Sequence, residues 1–129
     1  MADPLSIIGG IAAIVQLSTT VVSLIKSAKD ASSDRQKVLA EINATTALCQ
    51  TLNDYVEING IDSWADTFKT LNQTDNGPLS QFKMCLEHLY KKLNTKGATL
   101  KWPFNKQSVQ EILATIERQK SLIKFGFDE

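Results

Sequence analysis

From Leu5 to Ile25 the chain runs for 21 residues without a charged side chain, between Asp3 and Lys26. No other stretch limits the fold as strongly. At helical spacing Ile7, Ile11, Ile14, Val21 and Ile25 form one stripe, and Leu5, Ile8, Val15 and Val22 widen it. A surface helix needs only one such stripe. A broader one is covered by partners on most sides or sits in lipid, and about 20 apolar residues suffice to span a bilayer. The remaining chain must therefore offer apolar faces, or a membrane must.

Asp3-Pro4 suits a helix start, with Asp as N-cap and Pro at the first helical position. The spacing predicts a first helix over 4–29. Gly9-Gly10 weakens it and reads either as a hinge or as a point of close helix packing. Asp30 to Asp34 supplies a turn with a ready cap. A second helix over 34–58 carries Val38, Ile42, Thr45, Cys49, Leu52 and Val56 at alternating steps of four and three, with Leu39, Leu48 and Tyr55 beside them. Asn59-Gly60 ends it.

Trp64, Phe68 and Leu71 predict a short helix over 63–72, and residues 73–78 read as a loop. A third helix over 79–95 places Leu79, Phe82, Leu86, Leu89 and Leu93 on one seam, with Lys83, Glu87, Lys91 and Lys92 outside. In the connector 100–104, Pro103 biases Trp102 away from helix, and Trp102 and Phe104 are expected to plug one end of the bundle. A last helix over 106–125 turns Val109, Ile112, Ile116 and Ile123 inward, with Leu113 beside them. Glu111, Glu117, Arg118 and Lys120 are expected to face water. No alternating strand pattern occurs. The expectation is an all-α, four-helix-type bundle forming a single domain over 1–129, in which the first helix is the central or most buried member.

Composition narrows the function classes. With 43% hydrophobic residues and a formal net charge of zero, the chain reads as globular and without bulk affinity for nucleic acid. The charge is uneven. Between Leu79 and Lys106 the lysines Lys83, Lys91, Lys92, Lys96, Lys101 and Lys106 face only Glu87, while Asp62, Asp66 and Asp75 outnumber Lys69 between Asn59 and Pro78. Cys49 and Cys85 lie in apolar-periodic stretches and read as buried thiols, paired only if their helices are neighbours. Two glycosylation triplets begin at Asn43 and Asn72, but the apolar run lacks the basic flank of a signal peptide. Ala2 in place of Gly removes a myristoylation signal.

Sites for chemistry are not apparent. His88 is the single histidine and has no second metal-type ligand placed with it. Gly9-Gly10 lacks the Lys-Ser/Thr of a phosphate loop, and neither G-x-S-x-G nor H-E-x-x-H occurs. The reading is a non-enzyme without cofactor or metal.

The opening Met1-Ala2-Asp3-Pro4-Leu5-Ser6-Ile7-Ile8-Gly9-Gly10-Ile11-Ala12 resembles the start of the fungal STAND/NLR N-terminal domain family, also called HeLo-like. The likeness extends through the second seam, the connector Leu100 to Phe104, Glu111-Ile112-Leu113 and Ile116-Glu117-Arg118, and so covers essentially the whole chain. The opening motif is its specific part. This family is similar to HeLo domains, to the helical bundle of the mixed-lineage kinase-like necroptosis executioner, and to plant resistance coiled-coil domains.

The resemblance implies an effector domain of an immune or incompatibility receptor, with a switch domain in cis. Such domains self-associate and attack membranes, moving from the cytoplasm to the plasma membrane. Carried over by position, the membrane-acting segment comprises Leu5, Ile7, Ile8, Ile11, Ile14, Val15, Leu17, Val21, Val22, Leu24 and Ile25. Lys83, Lys91, Lys92, Lys96 and Lys101 would attract anionic lipid. Two other readings remain open on the residues alone. One is a helical protein–protein interaction module in which the first helix stays in the core or in a dimer. The other is a permanent single-span membrane protein.

Overall fold

The computed structural model describes residues 4–29, 33–59, 77–94 and 102–128, with side chains described outside 4–9, 56–59 and 125–128. The described residues form an all-α bundle of four helices: α1 (Pro4–Ser27), α2 (Asp34–Asn59), α3 (Pro78–Leu93) and α4 (Lys106–Asp128). These bounds lie within three residues of the sequence expectation. The expected helix over 63–72 falls outside the described residues.

Each helix contributes a seam with alternating steps of three and four. On α1 it is Ile11, Ile14, Ser18, Val21 and Ile25, continued by Ala28 just past the helix end. On α2 it is Val38, Ile42, Thr45, Cys49 and Leu52; on α3, Leu79, Phe82, Leu86, Leu89 and Leu93; on α4, Val109, Ile112, Ile116, Gln119 and Ile123. That period keeps one face of each helix toward its neighbours along its length. Apart from Ser18, Thr45 and Gln119, these residues join one core cluster, with Trp102 and Phe104 packed against it. The expected plugging role of these two rings agrees with this packing.

Ser18 and Gln119 are seam members that their polarity concealed. Ser18 is accommodated because its hydroxyl donates to the Ile14 carbonyl at 2.9 Å, so no buried donor is left over. Thr45 solves the same problem by donating to the Glu41 carbonyl at 2.8 Å.

Helix ends follow local chemistry. Pro78 opens α3 after the extended Gly77. Asn94 closes it, its amide donating to the Tyr90 carbonyl at 2.8 Å. Asn105 caps α4: its Oδ1 accepts the Ser108 amide at 2.7 Å.

α1 packs against α2 and α3, and α4 packs against the same two helices. The four therefore form a ring in which α1 faces α4, and α2 faces α3, across the core. This corrects the expectation that α1 is the central member. It is one corner among four, and only 28% of the residues from Gly10 to Ser27 are buried. The physical reason is that all four helices turn one seam each toward a shared axis, so none is enclosed by the other three. Lys120 also departs from expectation. It is half-buried, and its Nζ meets Glu41 Oε2 at 2.7 Å, tying α4 to α2.

Candidate functional site

The site suggested by sequence is α1 together with the lysines of α3. Of the segment's residues, Ile11, Ile14, Val21 and Ile25 are buried, while Val15, Leu17, Val22 and Leu24 are half-buried. Leu5, Ile7, Ile8 and Gly9 lie on α1, with side chains outside the described set. The apolar residues thus occupy the seam and its two flanks.

The outward face consists of Ala12, Ala13, Gln16, Thr19, Thr20 and Ser23, all exposed and none charged. Lys26, in the last turn, is the single charged residue of α1. Both of its threonine hydroxyls are engaged. Thr19 donates to the Val15 carbonyl at 3.1 Å and Thr20 to the Gln16 carbonyl at 3.2 Å. A hydroxyl bonded within its own helix loses less when water is removed. Thr46 and Thr51 of α2 do the same. What sets α1 apart is this bonding on a face without charge.

Gly10 is exposed, and a Cβ placed there would meet nothing within 4 Å. Close packing does not account for glycine at this position.

Lys83, Lys91 and Lys92 are exposed on α3, a direct neighbour of α1. Glu87 sits one turn from both Lys83 and Lys91, so that line is not purely basic. Lys91 and Lys92 occupy the last turn of α3, where cations also suit the helix C-terminus. Lys96 and Lys101 lie outside the described residues.

Two grooves flank these surfaces. One, of about 360 Å³, runs between α3 and α4 past Met84, Cys85, His88, Phe104, Glu111 and Ile112. The other, of about 580 Å³, lies between α1 and α2, lined by Ile11, Ala12, Val15, Gln16, Gln50 and Asp54 among others. Both mix polar and apolar walls.

Cys49 and Cys85 are free thiols on α2 and α3, the helices that face each other across the core. Burial pushes the Cys49 thiol up to about 12 and the Cys85 thiol up to about 11. Both stay protonated at neutral pH and are poor nucleophiles. Among the described residues no group of three or more His, Cys, Asp and Glu side chains could hold a metal ion.

One contact had no forewarning in the sequence. The Trp102 amide donates to the Lys29 carbonyl at 2.9 Å, joining the lead-in of α4 to the end of α1. Beside it, Arg35 Nη1 donates to the Ala28 carbonyl at 2.9 Å. Backbone acceptors carry no residue-type signature, which is why periodicity is silent about them.

α1 from Gly10 to Ser27 is long and apolar enough to cross a membrane, a test that the core helix of a soluble protein also passes. No family model, curated protein or solved structure matches the chain.

Proposed function

We propose that this chain is an effector or signalling domain of the fungal NLR-like type, one that self-associates and delivers α1 to a membrane. The family part of this reading rests on the resemblance of the opening residues. The observation that carries the membrane part is that α1 is less polar than its place in the bundle requires. A corner helix needs an apolar seam, yet the exposed side of α1 from Gly10 to Ser23 is also free of charge, Lys26 in the last turn being the one charged residue of the helix.

Leaving the bundle exposes Ile11, Ile14, Val21 and Ile25, at roughly 1.5–3 kcal/mol each if they met water. Lipid removes that penalty, because it accepts the seam and the uncharged outer face together. Lys83, Lys91 and Lys92 on the neighbouring helix would hold the domain near an anionic surface, with Lys96 and Lys101 as further candidates, at about 1 kcal/mol per lysine. In this reading the protein rests in the cytoplasm, carries a switch or other signalling domain in cis, and reaches the plasma membrane on activation. Neither nucleic acid nor catalysis has a part in it.

A test that leaves the core intact places lysines on the exposed face: Ala13→Lys with Thr20→Lys. Folding stability should be nearly unchanged. Leakage of anionic vesicles by the oligomerised protein should fall sharply, since a charge at mid-span costs roughly 2.5–3.5 kcal/mol. An oligomerised wild type that leaks nothing sinks the proposal. Replacing Lys83, Lys91 and Lys92 by Glu should weaken vesicle binding; unchanged binding removes the lipid patch from the reading.

The continuous α1 seam favours a second reading, an interaction module in which α1 never leaves. That reading predicts oligomers without leakage, and equal self-association for the wild type and the double lysine variant.

A further inference from the structure

We propose that the contacts at the end of α1 form a clasp that holds this helix in its corner, so that loosening them frees α1 while α2, α3 and α4 stay packed. The clasp is built from two hydrogen bonds on adjacent carbonyls. Arg35 Nη1 holds the Ala28 carbonyl from the first turn of α2, and the Trp102 amide holds the Lys29 carbonyl from the lead-in to α4, each at 2.9 Å. Ala28 itself is buried, at 4% exposure, so the pivot is seated as well as bonded. Fixing two successive peptide groups sets the direction in which α1 leaves the turn.

The ring order makes the release selective. α4 packs on both α2 and α3, so these three helices remain joined if α1 departs. Trp102 brings the α4 side to the α1 pivot, linking two helices that face each other across the core.

The clasp also contains its own weakness. Trp102 Nε1 is buried with no hydrogen-bond partner among the described residues. An unsatisfied buried donor is unfavourable and offsets part of what the two bonds contribute. The Trp102 ring meets Phe104 edge-on, with centroids 5.2 Å apart, and Phe104 walls the groove between α3 and α4. A molecule that displaced Phe104 from that groove would act directly on the ring whose amide holds α1. The clasp thus gives the proposed effector a resting state, and its link to membranes rests on that reading.

Hydrogen exchange on the soluble, full chain tests the clasp without lipid. Arg35→Ala removes one bond. An amide-to-ester replacement at Trp102 removes the other and keeps the side chain. Each change should speed amide exchange over residues 11–27 by roughly three- to tenfold, the range that a net hydrogen bond implies, and leave 113–123 within about twofold. Arg35→Lys, which keeps the charge but shortens the reach, gives the same pattern if the alanine variant folds poorly. Equal acceleration in all four helices, or none in α1, overturns the clasp. Leakage of anionic vesicles then separates the two proposals. Selective α1 release without leakage defeats the membrane reading and leaves the clasp standing.

Discussion

α1 and α2 are neighbours of similar length with matching seams, yet their outer faces differ. On α2 the charged Lys37 and Asp54 are exposed while Asp34, Arg35 and Glu41 are half-buried, whereas α1 carries Lys26 alone. Both seams are nonetheless fully occupied. α2 shows how little apolar residue a corner of this bundle demands: one stripe suffices, and Thr45 can sit within it. An outer face without charge before Lys26 is therefore more than a corner position requires, and it is the feature on which the proposed membrane role rests. The half-buried flanks of α1, Val15, Leu17, Val22 and Leu24, pack against the core, as Leu48 of α2 does.

Matched substitutions probe how firmly the two helices are seated. Ile25→Ala and Ile42→Ala each remove a side chain with no exposure, and each should cost about 2–5 kcal/mol in denaturant unfolding. A cost under about 1 kcal/mol at Ile25 alone would mean that α1 is held more loosely than α2. Next in size is Lys120→Ala, which leaves half-buried Glu41 without its partner from α4. About 1 kcal/mol is expected, with a smaller loss at high salt.

Gly10→Ala should stabilise the fold by roughly 0.5–1 kcal/mol, since nothing crowds the position and Ala is the better helix former. If the same variant also loses vesicle leakage, the glycine serves as a hinge and the contrast with α2 sharpens. The smallest effects belong to the outer faces. Thr19→Lys on α1 and Thr51→Lys on α2 should each change the melting free energy by less than about 0.5 kcal/mol. A large cost at Thr19 would show that the outer face of α1 already contributes to folding.

Much of this architecture was legible because helical period and helical burial are the same geometry. Leu79, Phe82, Leu86, Leu89 and Leu93 fall on one face whatever covers them, and all are buried. Ser18 and Gln119 occupy the same kind of position but look like surface residues, because the bond that satisfies Ser18 lies within its own backbone. The corner position of α1 was not legible. Periodicity reports how wide an apolar face is, not which helices stand beside it. Lys120 reads as solvent-facing until Glu41, 79 residues away in sequence, is brought next to it. The cap at Asn105 is a signal that the helical period alone passes over, although an Asn before a periodic run suits a helix start. Of the candidate site, the absence of charge on α1 could be read directly, whereas its fixing at Ala28 and Lys29 could not.

The ring order also bears on how the chain reaches this state. α1 and α2 follow one another and touch, as do α3 and α4, so two of the four interfaces close within helical hairpins. The other two, α1 with α3 and α2 with α4, form only when the hairpins meet. Local closure favours rapid formation of each half, but each half alone leaves part of every seam open to water. The halves are therefore natural complements. Supplied as two polypeptides divided between residues 60 and 76, they would be expected to find each other and rebuild the bundle.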